Sequence, residues 1–287
     1  MKAIYKKEIK AFFSQMTGYV FLGFLLMLVG IWFTFLGLMA RSANFQNVLS
    51  SVTIFFFILM PTLTMRIFSE EAKQKTDQLL FTSPLTVGQI VIGKFLASLS
   101  LFFLGVVMSV VLPIMIMGHA DLPVSQIVGT YIGFFLLGAA CISVGIFVSV
   151  LTENQIIAAV GTMGAIFVMF LMDMIAVSLP TSTFASLMFV VFIIAAATAI
   201  WYNSTKNVLL TAIFGVVAAA FAGGLYLINN LVYDGIIVRV LLWFSVFARF
   251  TAFTYGLLHL SNVVYYVSFC VLFVYLTINV IERRRWI

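Results

Sequence analysis

The chain has 287 residues, 64% of them hydrophobic and 8% charged, with a mean hydropathy of +1.21. A soluble domain of this length has no polar surface in such a composition, and the short alternating segments of a membrane barrel are absent, so an all-helical membrane protein is expected. The net charge of +6 falls where it orients helices in a bilayer, which removes the case for a nucleic-acid partner.

At the start, Tyr5, Ile9, Phe12, Phe13 and Met16 recur at helical spacing, with Lys2, Lys6 and Lys10 on the opposite face. That pattern predicts an interfacial helix over residues 1–16, lying on the anionic lipid of the inner leaflet. The first long apolar run, Tyr19–Met39, exceeds a signal-peptide core and lacks a small-residue cleavage site, so no cleavable leader is expected. Runs of spanning length follow at Val48–Met65, Phe95–Met117, Ile127–Leu151, Ile156–Val177, Phe184–Tyr202, Val208–Ile228 and Val263–Ile281, giving eight candidate spans. Threaded with the N-terminus in the cytoplasm, twelve of the 15 basic residues fall inside. Only Arg41, Arg239 and Arg249 remain outside, and both termini are cytoplasmic.

Between the second and third spans, Arg66, Glu70, Glu71, Lys73, Lys75, Asp77 and Lys94 crowd into one stretch of an otherwise apolar chain. Ser69 is placed to cap a short helix whose first turn carries Glu70 and Glu71. Ser83-Pro84 should break it, and Thr86 with Gln89 forms a capping box that starts the helix entering the third span. The result is a short cytoplasmic helix, a turn and a rod, suited to passing a push into the bilayer. The plainer reading is a solvated loop with inside-positive lysines. Gly88-x-x-x-x-Gly93-Lys94 imitates a phosphate-binding loop, but Phe95 stands where Ser or Thr should hold magnesium and no strand precedes it. Any ATP chemistry is therefore expected in another chain, and this one is not expected to be an enzyme.

The later segments add little chemistry. The turn Ser149–Gln155 carries Thr152 and Gln155 as a second capping box, with Glu153 its only charge. Asp173 is the one acidic residue well inside a candidate span, and a secondary carrier would use it as its proton or sodium site. His119 and His259 read as hydrated groups near the outer face, and Cys141 and Cys270 as packing residues, so no metal site is expected. Gly235–Phe253 combines Trp243, Phe244, Phe247, Phe250 and Phe253 with Arg239 and Arg249. Spanning there would cost about 2.5–3.5 kcal/mol per arginine, so an outer interfacial or re-entrant segment is expected. Glu282-Arg283-Arg284-Arg285-Trp286 reads as a positive stop. No internal repeat is visible.

Ordered motifs along the whole chain resemble the permease subunits of ABC-2 type transporters, above all the gliding-motility and multi-copper-enzyme-maturation branch. They are Lys6-Lys7-Glu8-Ile9-Lys10-Ala11-Phe12-Phe13 with Thr17-Gly18-Tyr19-Val20-Phe21, and Pro61-Thr62-Leu63-Thr64-Met65-Arg66-Ile67-Phe68-Ser69-Glu70-Glu71. Ser83-Pro84-Leu85-Thr86, Ile90-Val91-Ile92-Gly93-Lys94-Phe95-Leu96-Ala97, Leu151-Thr152-Glu153-Asn154-Gln155 and the C-terminal Glu-Arg-Arg-Arg-Trp complete the set. The resemblance implies one ABC-2 (type V exporter-like) transmembrane domain over residues 1–287, in the plasma membrane. Residues 69–92 would be the coupling segment that docks a separate ATP-binding cassette ATPase through Arg66, Glu70, Glu71, Thr76, Ser83, Pro84 and Thr86. Residues 1–16, with Lys6, Lys7 and Phe12, would be the connecting helix, and residues 235–253 the outer helices. Two permease copies would pair, ATP and magnesium would be bound by the ATPases, and an extracellular auxiliary protein is compatible. The chain departs from the family in reading Lys75-Thr76-Asp77-Gln78 where many members have Gly-Thr-x-Glu, and in its eight spans against six. A non-transporting scaffold is the third alternative.

Overall fold

The computed structural model describes residues 1–39, 45–76, 85–116, 123–179, 182–205, 208–228 and 230–285, and every regular element among them is helical. The helices are α1 (Lys2–Ser14), α2 (Thr17–Trp32, continued as a π-helix over Phe33–Met39), α3 (Phe45–Thr53), α4 (Phe56–Thr64) and α5 (Ser69–Lys73). They continue as α6 (Val87–Ser109), α7 (Val111–Ile116), α8 (Val124–Leu151), α9 (Gln155–Ser178), α10 (Thr183–Thr205) and α11 (Val208–Ile228). Last come α12 (Ile236–Phe244), α13 (Phe250–Thr254) and α14 (Leu260–Arg285). The turn expected at Ser83-Pro84, and His119, lie outside the described residues.

Five helical segments are long and apolar enough to cross a membrane: Thr17–Met39, Val87–Met115, Val124–Leu151, Gln155–Ala176 and Leu260–Arg283. A sixth is counted if α3 and α4, which meet at a 61° bend, form one broken span. The chain is a multi-pass helical membrane protein. The apolar stretches Thr183–Ala199 in α10 and Phe214–Tyr226 in α11 are shorter.

The chain divides into two compact units, Met1–Phe170 with Val246–Ile287, and Leu171–Ser245. Within the first, α8 is the central post and the most buried candidate span, flanked by α14, α13, α4, α6 and α3. In lipid there is no hydrophobic drive between helices, so close packing must supply the cohesion and small residues admit it. Gly138 does this on α8. A Cβ there would fall 2.1 Å from the Phe102 ring on α6. Around that contact Phe56 meets Phe134 at 4.9 Å and Phe102 at 5.9 Å, both edge-on, the arrangement the ring quadrupole favours. Cys141 is fully buried in the same core, and it and Cys270 are free thiols. Tyr266 closes the other side, donating its hydroxyl proton to the Val246 carbonyl at 2.7 Å.

The second unit is built on α10 and α11, packed against one another, with Trp201 stacked on Phe214 at 5.6 Å. Tyr233, in a short 3-10 turn, donates to the Ala222 carbonyl at 2.7 Å. Of the aromatic segment 235–253, α12 belongs to this unit and α13 to the first. At nine and five residues, neither is long enough to span.

Candidate functional site

Glu71 and Lys94 of the charged stretch join Lys7 and Glu8 in a compact polar assembly where α1, α5 and the first turns of α6 meet. α5 has five residues, too few to hold itself together by its own hydrogen bonds. Its position is fixed by tethers from three other helices. From α8, the Ser149 hydroxyl accepts the backbone N–H groups of Phe68 and Ser69, each at 3.2 Å, and donates to the Met65 carbonyl at 3.3 Å. Ser149 thus supplies from a distant helix the N-terminal cap that Ser69 was expected to give. The Ser69 hydroxyl instead turns back to the Met65 carbonyl, one turn earlier.

From α6 comes Lys94, whose side chain is 1% exposed. Its ammonium has three protons and three acceptors: Glu71 Oε2 at 2.7 Å, Glu8 Oε1 at 3.1 Å and the Ile67 carbonyl at 2.7 Å. The Phe68 ring lies 4.8 Å from the charge. From α1, Lys7 reaches Glu71 Oε1 at 3.0 Å, so one carboxylate on α5 is held by two helices at once. Partial burial would lower the Lys7 pKa. The hydrogen bond and charge of Glu71, with Glu8 behind, outweigh it and hold the ammonium above its ordinary 10.5. A cleft of about 320 Å³ opens beside the cluster, lined by Lys7, Glu8, Arg66, Glu70, Glu71 and Thr76 among others. Gln74 donates to Glu70 at 3.4 Å, and Arg66 is exposed.

The approach of α1 explains a motif that imitates a phosphate-binding loop. Gly88 to Lys94 lie inside the continuous helix α6, and a Cβ on Gly93 would sit 3.2 Å from Ile4 Cγ2. Gly93 is the seat for α1, and Lys94 is the ion-pair centre beside it. The buried face of α1 accordingly centres on Ile4 and Phe12, with Glu8 at 12% exposure between them. Of the expected stripe, Phe12, Ile9 and Phe13 face the protein, while Tyr5 and Met16 are exposed, Tyr5 donating to Ser100 at 3.0 Å. Met16 adopts a left-handed conformation (φ 60°) that turns the chain from α1 into α2. Lys6 is exposed on the far side of α1.

Thr86 caps α6, its hydroxyl accepting the Gln89 N–H at 3.3 Å, as the sequence pattern predicts. Thr76 donates to the Glu71 carbonyl at 3.4 Å. Ser83 and Pro84 lie outside the described residues. At the second turn the cap moves by two positions: Thr152 accepts the Asn154 N–H at 3.1 Å, and Asn154 Oδ1 accepts the Ile156 N–H at 2.9 Å. Asn154 therefore caps α9, with Gln155 its first residue and Glu153 exposed. Asp173 is half-buried on α9, and among the described residues it joins no ion pair. No group of three or more His, Cys, Asp or Glu converges as a metal would require, again among the described residues.

In the sequence, Lys94 reads as an inside-positive charge and as the lysine of an imitation phosphate-binding motif, and Glu8 does not stand out. The signal was present. A lysine two turns into a long apolar helix must find acceptors, and acidic residues are few enough to search. Residues 37–188, just over half of the chain and including α5, the start of α6 and the second turn, match the family described as ABC-2 family transporter protein. No curated protein and no solved structure matches the chain.

Proposed function

Starting from the membership of this chain in the ABC-2 family of transporter proteins, we propose that it is the permease subunit of an exporter powered by a separate ATP-binding cassette ATPase, which docks at α5. The observation that carries this reading is the tethered α5: a short charged helix, held by Ser149, Lys94 and Lys7 against three membrane-associated helices. Docking would use Arg66, Glu70, Glu71, Thr76 and Thr86, together with Ser83 and Pro84. α1, through Lys6, Lys7 and Phe12, would brace the dock, and the turn at Thr152, Glu153 and Gln155 would lie beside it. ATP and magnesium belong to the partner. Two permease copies would form the path through the plasma membrane, with both termini cytoplasmic. The ordered motifs favour the gliding-motility and multi-copper-enzyme-maturation branch.

Co-expression with the ATPase encoded beside this chain tests the reading. The two proteins should co-purify, and Glu70→Lys with Glu71→Lys should abolish the complex. If the wild-type proteins do not associate, or the double variant assembles and transports unchanged, the reading fails. Asp173→Asn separates it from the secondary-carrier alternative: a carrier would lose ion coupling, whereas the proposed permease keeps its activity. A scaffold would show no response to ATP in the assembled complex.

A further inference from the structure

We infer that Lys94 is the joint through which movement of α5 is delivered to the spanning helix α6, so that the two move as one body while α4, α5's neighbour in the chain, bends. The inference rests on the docking reading above and goes beyond it by naming the residue that carries the motion and the helix that receives it. Three observations support it. The chain between α4 and α5 is a hydrogen-bonded turn over Met65–Phe68 rather than a continuation of either helix. The way from α5 to α6 along the chain passes Lys75, which has a left-handed backbone (φ 55°), before it reaches the cap at Thr86. The route through Lys94 is short and saturated: its Nζ holds Glu71 at 2.7 Å, Ile67 at 2.7 Å and Glu8 at 3.1 Å.

The position of Lys94 on α6 matters as much as its partners. It lies two turns inside the helix that begins at Val87. A force applied there turns the helix as a rigid body, where a force on the first residues would fray it. Because all three ammonium protons are committed, a shift of α5 without α6 would leave a buried charge unpaired, which is far costlier than moving both together. Phe68, over the same charge, resists a sideways slip. A positioning role of this kind touches no substrate and no nucleotide.

The test uses the full chain in complex with its ATPase and reads hydrogen–deuterium exchange with and without a non-hydrolysable ATP analogue. In the wild type, nucleotide binding should change exchange in both α5 and residues 87–99 of α6. Lys94→Met keeps the length of the side chain and removes the charge. With the complex intact, the response should persist in α5 and vanish from α6, and stimulation of ATP hydrolysis by the permease should fall roughly tenfold, the scale of a typical coupling between sites. Should Lys94→Met not accumulate, Glu8→Gln preserves shape and removes one of the two carboxylate charges that face Lys94, and its α6 response should be reduced. An α6 response equal to the wild type's, in either variant, overturns the inference while leaving the docking reading untouched. Failure of the wild-type proteins to associate overturns both.

Discussion

At the scale of single residues, the Lys94 cluster and the Ser149 cap show opposite relations to the sequence. Ser149→Ala removes one oxygen and leaves the Phe68 and Ser69 amides without their acceptor. Orphaned amides of this kind cost about 1–3 kcal/mol. Amide exchange across residues 66–74 should accelerate while α14 stays unchanged. Lys7→Ala should do far less, under about 1 kcal/mol, because the Lys7 side chain is 58% exposed and its pair with Glu71 is screened by solvent. That pair raises the Lys7 pKa in the folded chain, so its small contribution is complete at neutral pH and is lost only as pH climbs past about 10.5. Thr86 was legible in the sequence because a cap and its partner lie three residues apart. Lys94 was not, because Glu8 is 86 positions away and no local rule connects them. Asn154 took the cap from Thr152 because both are capping residues and only the helix start, at Gln155, chooses between them.

Helices were easier to read than their breaks and faces. Apolar runs marked α2, α6, α8, α9 and α14, since lipid demands about 20 apolar residues whatever the tertiary contacts. The run Val48–Met65 gave no warning of its break near Ile54. Pro61 lies further on, inside α4, and the bend comes before it. The face of α1 is turned from its hydrophobic stripe because Gly93 offers a seat to Ile4 and Lys94 draws Glu8 inward. Gly93→Val should therefore lift α1 from α6, breaking the Tyr5–Ser100 hydrogen bond and raising protease sensitivity over residues 2–14. At the other contact, Gly138→Ala forces the Phe102 ring from its place among Phe56 and Phe134, at about 1–3 kcal/mol. The thermal midpoint of the detergent-solubilised protein should drop by several degrees, with α1 unaffected.

For the whole molecule, the number of spans turns on α10 and α11. If both cross, a reporter fused after Thr205 is cytoplasmic; if neither crosses, it is on the outer side, and a fusion after Arg285 is cytoplasmic either way. The eight-span reading expects cytoplasmic signals at both positions, and an outer signal at Thr205 would leave six spans. Composition and charge placement were enough to identify a polytopic helical chain, but they could not reveal its division at Leu171 and Val246. That division is a matter of which helices touch, and α10 and α11 are as apolar as the rest. The buried ammonium of Lys94 also bears on how the chain is made. Its two carboxylate partners, Glu8 and Glu71, leave the ribosome first, so the cation reaches the edge of the bilayer with its counter-ions already synthesised. A permuted gene that translates α1 last would deliver that cation with Glu8 still unmade, and its product should integrate more slowly than the natural order; equal rates would show that the timing is immaterial.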